Sequence, residues 1–169
     1  MQTDTPQFTP LNVDEHLEFC AAAHRETYRL TFGREIPDAY LGAELARMRR
    51  HFADAPDSIL LASLNGAAVG LLRLERRVVY GDAASGWVNC FYVAPEWRGR
   101  GLGRQLAAFA AAYFARYGIR EIFLRAGEPN GAAIGFYTHI GFARAPFGDK
   151  TADGVKSLMF KKVCSSGSS

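Results

Sequence analysis

Apolar residues recur along this chain at two different spacings, and the changes of spacing divide it into elements. After an extended start around Phe8, Leu17, Ala21, His24 and Tyr28 fall on one helical face. Asn12 stands as the cap of this helix, with Glu15 three residues on completing a capping-box-like pair. A second helix opens at Pro37, suited to a first helical position, and sets Leu41, Leu45, Met48 and Phe52 in a stripe. Arg47, Arg49 and Arg50 lie mostly off that stripe, where a solvated face is the plain reading and a ligand-facing one the alternative. The period then shortens. Ser58 to Leu64 reads as a strand, Asn65-Gly66 as a two-residue hairpin, and Ala67 to Tyr80 as the returning strand. A loop over 81–86 leads to a strand from Trp87 to Ala94, stopped by Pro95. Leu102, Leu106, Phe109, Tyr113 and Tyr117 then mark a helix that Gly118 closes. Ile119 to Ala126 is a further strand, Asn130 caps a short helix ended by Gly141, and the last strands follow Phe142 and span Val155 to Val163.

The strand–helix–strand unit from Trp87 to Ala126 is expected to be parallel and right-handed, whereas the Asn65-Gly66 hairpin is antiparallel. The fold class is therefore α/β, a twisted mixed sheet with helices on both faces. A chain of 169 residues, 49% hydrophobic, buries one sizeable core, so residues 1–163 are expected to form a single domain and 164–169 a flexible tail. No run approaches the roughly 18 apolar residues that span a bilayer, and the N-terminus lacks the pattern of a secretory signal. A formal net charge of +3 with scattered basic residues gives no footprint for nucleic acid. Cys20, Cys90 and Cys164 are odd in number and far apart, and neither they nor the four histidines show metal-ligand spacing. Free thiols, a cytoplasmic location, no metal and no membrane partner are the expectations. Cys90 beside the glycine turn reads as a buried, inert thiol, with nucleophile as the rival reading.

The densest chemistry lies in Arg98-Gly99-Arg100-Gly101-Leu102-Gly103, between a strand and a helix. Three glycines let backbone approach a ligand closely, and the following helix turns free N–H groups and the positive end of its dipole to the same point. Such a turn holds phosphate. A dinucleotide fingerprint does not fit: the spacing is G-x-G-x-G, Pro95-Glu96-Trp97 separates strand from turn, and Glu121 begins the next strand rather than ending it. A nucleotide P-loop is excluded because no Gly-Lys-Ser/Thr follows.

These residues resemble the Q/R-x-x-G-x-G/A motif of the GCN5-related N-acetyltransferases (GNAT). Asn130, Ala133, Phe136-Tyr137 and Gly141-Phe142 resemble that family's second motif, and the likeness runs from Ser58 to Phe142. It implies a GNAT-like sheet with splayed parallel strands at its centre and acetyl-coenzyme A as co-substrate. Backbone amides from Arg98 to Arg104, with Gly99, Arg100, Gly101, Leu102 and Gly103 between them, are then expected to wrap the diphosphate. Pantetheine is expected to pair with the backbone of Phe91, Tyr92 and Val93, with Asn130 and Ala133 beside it. Asn130 reads equally well as a plain helix cap.

The implied reaction is direct attack of a primary amine, on a small molecule or peptide, upon the thioester in a ternary complex. A lysine-like amine of pKa about 10.4 costs roughly 4–5 kcal/mol to deprotonate at pH 7. A backbone amide near Tyr92-Val93 is expected to hold the developing oxyanion, and Tyr137 to protonate the departing thiolate. Many relatives carry a glutamate where Asn89 stands, so Asn89 is expected to orient the amine or a water. Glu26 and Glu75 read as remote bases or as ordinary surface carboxylates. Tyr28, Phe32 and Tyr40 line an apolar acceptor site or simply pack in the core, and the loop near 81–86 is expected to contribute to the acceptor site. The alternative is a non-catalytic acyl-coenzyme A sensor or scaffold of the same fold. Family pairing through sheet edges leaves a homodimer open.

Overall fold

The computed structural model describes residues 5–165. Its elements run β1 (Gln7–Pro10), α1 (Leu17–Phe32), α2 (Asp38–Asp54), β2 (Ile59–Leu64), β3 (Ala67–Arg77), β4 (Ser85–Val93), α3 (Leu102–Ala115), β5 (Glu121–Gly127), α4 (Gly131–His139), β6 (Ala143–Arg144), β7 (Lys150–Ala152) and β8 (Val155–Val163). One sheet runs in the order β1-β2-β3-β4-β5-β8-β6, with β7 also on β8. Every pairing is antiparallel except β4 with β5.

Helices cover both faces, as the alternation in β3 demands. Leu72, Leu74 and Val88 point to α3 and meet Leu106, Ala110 and Phe114. Ile59, Leu61 and Leu71 point the other way, to Cys20, Leu45 and Met48 of α1 and α2. Burying these two layers is the main force holding the sheet between its helices.

Several boundaries differ from the sequence reading for identifiable reasons. Helix α1 starts at Leu17, and Asn12 closes a tight turn instead, its Oδ1 accepting from the Asp14 N–H at 3.0 Å. Leu11 and Val13, two residues apart, are both buried, a spacing that extended backbone satisfies and a helix does not. Strand β3 ends at Arg77, three residues short of Tyr80, whose hydroxyl donates to Glu121 from the following loop. At the other end, Cys164 is tied to the sheet, its N–H donating to the Arg120 C=O at 2.8 Å. Of the expected tail, 166–169 lie outside the described residues.

The feature that positions the site is a break between β4 and β5. They pair in parallel only from Gly86, Trp87 and Val88 to Ile122, Phe123 and Leu124. One residue later the β3–β4 register slips: Arg73 faces Cys90 while Leu74 faces Val88, leaving Asn89 as the extra residue of a bulge. Above it β4 pairs with β3 alone, and β5 with β8 alone. The sheet therefore opens into a wedge at its centre.

Candidate active site

The glycine turn sits at the open end of the wedge. After Pro95–Trp97, a single 3-10 turn, Gly99 and Gly101 take φ of +76° and +81°. These left-handed values alternate with ordinary ones, a pattern that points successive N–H groups into one concavity. Helix α3 starts at Leu102 with Gly101 as its N-cap and no side chain capping it, so its first N–H groups face the same concavity. Gly103 serves a different purpose. A Cβ there would lie 2.8 Å from Cζ of Phe136, so its bareness brings α4 against the start of α3.

The arginines of the turn are held, not loose. Arg98 Nε donates to the Val93 C=O at 2.9 Å, and its Nη1 pairs with Glu26 at 2.7 Å. Tyr92 completes this bracket by donating its hydroxyl to Glu26 at 3.3 Å. Arg100 stacks on Trp97 at 4.9 Å, and Arg104 meets His139 of α4. What the turn offers a ligand is thus chiefly backbone.

The edge of β4 supplies the wall of the wedge. The Ala94 N–H donates back to Val69 of β3 at 2.9 Å. Alternation along the strand therefore turns the peptide groups of Tyr92 toward β3, and those of Phe91 and Val93 toward the wedge. This corrects one expectation: Tyr92 belongs to the sheet ladder, and its side chain is buried on the α1 side. Phe91 and Val93 are the exposed edge, with the Val93 carbonyl already taken by Arg98.

Helix α4 closes the α3 side. Asn130 Oδ1 accepts from the Ala133 N–H at 3.2 Å and caps the helix, which leaves its amide N–H groups for other partners. Tyr137 is 8% exposed, with Phe91, Phe136 and Phe142 rings 5.7–5.8 Å away. Burial, with a smaller contribution from Cys90, pushes its phenol well above the ordinary value of 10. Beneath it lies an apolar void of about 20 Å³ lined by Val88, Phe91, Ala110, Leu124 and Phe142 among others.

On the opposite face, Asn89 Oδ1 accepts from Trp87 Nε1 at 2.9 Å, which fixes the bulge residue at the foot of the wedge. Tyr28 is 5% exposed and packs on Phe32 and Tyr40 at 4.5 and 5.1 Å, so Tyr28 is core while Tyr40 carries the exposed side of the cluster. Arg34, in the α1–α2 loop, pairs with Asp153 at the β7–β8 turn, 2.7 Å apart. Those two segments therefore meet at the C-terminal end of α1. The loop between β3 and β4, expected at the acceptor site, lies elsewhere: Tyr80 anchors it to Glu121, where β5 begins, at the closed end of the sheet.

Neither candidate base stands free. Glu26 is held by Arg98 and Tyr92. Burial raises the Glu75 carboxyl, but the Arg77 bond and the charges of Arg77 and Arg73 outweigh it and hold the group below the usual carboxylate range. Desolvation pushes the Cys90 thiol up to about 12, which removes it as a nucleophile at neutral pH. Among the described residues no cluster of histidine, cysteine or carboxylate fits a metal ion, and no helix is long and apolar enough to cross a membrane.

The site is thus a bulge-opened wedge in a mixed sheet, with the uncapped start of a helix aimed at its opening. The acetyltransferase (GNAT) family model matches residues 18–142, and the chain belongs to that family. It is 33% identical over 91 residues to a mycothiol acetyltransferase of Thermobispora bispora, covering 53% of this chain and 31% of that one. An aminoglycoside N(6')-acetyltransferase type 1 of Stenotrophomonas maltophilia is 35% identical over 83 residues, 46% of this chain and 54% of that protein. The chain thus spans only part of the curated relatives it matches. Its fold is shared along nearly its whole length with the paiA N-acetyltransferase of Thermoplasma acidophilum in complex with coenzyme A, at TM-score 0.69, 17% identity, and coverage of 94% and 98%.

Proposed function

We propose that this chain transfers an acetyl group from acetyl-coenzyme A to a primary amine of a small molecule or peptide. The observation that carries the reading is the uncapped start of α3, with left-handed Gly99 and Gly101, at the mouth of a wedge whose walls present unpaired backbone. That arrangement suits a diphosphate joined to an extended amide chain: N–H groups of 98–104 for the first, and the edge at Phe91 and Val93 for the second. Asn130, Ala133 and Tyr137 lie along the α4 side of the same path. The relatives named as acetyltransferases support the same chemistry.

When bound, acetyl-coenzyme A supplies an activated acyl thioester. The chain's own groups do the rest. The Phe91 or Val93 N–H offers a fixed donor to charge developing on the carbonyl oxygen, at no reorganisation cost. The amine nitrogen attacks the carbonyl carbon from the α1–α2 face, since α3 and α4 fill the other. Asn89 keeps a lone pair and two N–H groups with which to orient the amine or a water that carries off its proton. As the carbon–sulfur bond breaks, the Tyr137 hydroxyl gives its proton to the sulfur and regains one from solvent. Its raised pKa keeps it protonated but makes it a weaker acid, so the transfer accompanies charge building on the sulfur. Phe32 and Tyr40, backed by Tyr28, wall the apolar part of the acceptor site. The three free thiols support a reducing, cytoplasmic setting.

Thiol release from acetyl-coenzyme A in the presence of a panel of primary amines tests the reading. Turnover with at least one amine is expected. Cofactor binding with no turnover across small amines and amino-terminal peptides would instead identify an acyl-coenzyme A sensor.

A further inference from the structure

On the acceptor face, beside the bulge, lies an open cleft of about 310 Å³ lined by Arg47, Arg50, His51, Asp54, Arg73 and Glu75. It belongs to no part of the cofactor path, because β3 directs Arg73 and Glu75 to the side opposite Leu72, Leu74 and α3. Its height on the sheet is informative. Arg73 faces Cys90, the residue just past the bulge, and Glu75 faces Trp87, two residues before it.

The floor of the cleft is rigid. The Ser58 hydroxyl donates to the Ala55 C=O at 2.9 Å, so Ser58 Oγ accepts from His51 Nε2, 2.6 Å away. His51 Nδ1 is then the acceptor for Arg73 Nε at 3.0 Å, which requires a neutral imidazole. Arg73, its side chain 12% exposed, is thereby fixed, with Nη2 3.7 Å from Glu75 and Nη1 left for another partner. Helix α2 forms the opposite wall, presenting Arg47, Arg50, His51 and Asp54 at helical spacing, off its core stripe. Arg47 is paired with Glu44, and Glu75 is held by Arg77 and Arg73. Arg50 has neither hydrogen bond nor ion pair among the described residues. The cleft therefore offers one anchored and one unpartnered guanidinium, both suited to a planar anion.

Resting on the acetyl-transfer reading, we propose that this cleft binds a carboxylate at the far end of the acceptor, so that the natural substrate is an amine bearing an acid group. Strands lie about 4.8 Å apart, so β3 stands roughly 10 Å from a chain lying strand-like against β4, a span that a β3 side chain and an acceptor of four to six carbons cover together. Amino acids acylated on a side-chain amine, or ω-amino acids, have that shape.

The test uses matched pairs, 4-aminobutyrate with butylamine and 6-aminohexanoate with hexylamine, followed both by calorimetric binding and by thiol release. The acid member of a pair is expected to bind at least tenfold more tightly. Arg50→Ala, on an exposed position, should remove that preference while leaving the plain amine unchanged, and Arg50→Lys should restore part of it. Equal binding within both pairs, or no binding of either acid, overturns the proposal. Turnover of amines without a preference for acids overturns it too and leaves acetyl transfer standing. Acid-dependent binding with no thiol release from any amine upholds the cleft and defeats the catalytic reading.

Discussion

At the scale of single residues, the proposed proton donor is Tyr137. Its ring is packed among Phe91, Phe136 and Phe142, so removing only the hydroxyl leaves that packing intact. Tyr137→Phe is therefore expected to lower kcat at least tenfold, a barrier increase of about 1.4 kcal/mol, with little change in KM for acetyl-coenzyme A. Steady-state kinetics at saturating amine checks this, and an unchanged kcat would reduce Tyr137 to a packing residue. Asn89 shows what its residue type alone does not say. As a letter it reads as a lost glutamate, whereas the fold makes it the extra residue of the bulge, tied to Trp87. Glu26 likewise looks like a surface carboxylate on α1. Its bond with Tyr92 spans 66 residues and its pair with Arg98 more, which no local pattern announces.

At the scale of elements, the contact between α3 and α4 decides whether the glycine turn is aimed correctly. Gly103→Ala places a methyl group 2.8 Å from the Phe136 ring, which must turn aside or take α4 with it. Overpacking of this kind costs about 1–3 kcal/mol. A lowered Tm together with at least fivefold weaker binding of acetyl-coenzyme A is expected, measured by thermal denaturation and calorimetry. A variant with unaltered affinity would show that α4 does not set the geometry of the turn. Most elements were legible in the order of periods, because each buries one face and its spacing records that. The turn's glycines were legible as well, since Gly99 and Gly101 take left-handed φ that other residues resist. What escaped depends on pairing across distance. The register slip at Asn89, the anchoring of Tyr80 on Glu121 and the turn at Asn12 all arise from partners brought in by the fold. The two short strands β6 and β7 carry no period long enough to read.

For the molecule as a whole, acid should weaken the fold in a defined window. Burial lowers the pKa of both His24 and His51 from the ordinary 6.5; at His24 Glu44 opposes this and Arg73 adds a smaller lowering, while at His51 Arg73 lowers it further against nearby carboxylates. The folded state thus binds fewer protons than the unfolded one, so the stability these groups give is complete above pH 6.5 and is lost as pH falls through their folded values. Denaturation midpoints are expected to drop from pH 7 to pH 5, with a smaller drop in His51→Gln. A flat or rising profile would contradict this. The proposed activity depends on one event, the seating of acetyl-coenzyme A against main-chain N–H groups at the start of α3. Calorimetry of that binding in the native chain and in Gly101→Val tests it directly, because Val resists the φ of +81° that aims the turn. One-to-one binding by the native chain, weakened at least tenfold in the variant, is the expected result. No binding, or equal binding in both, would contradict it.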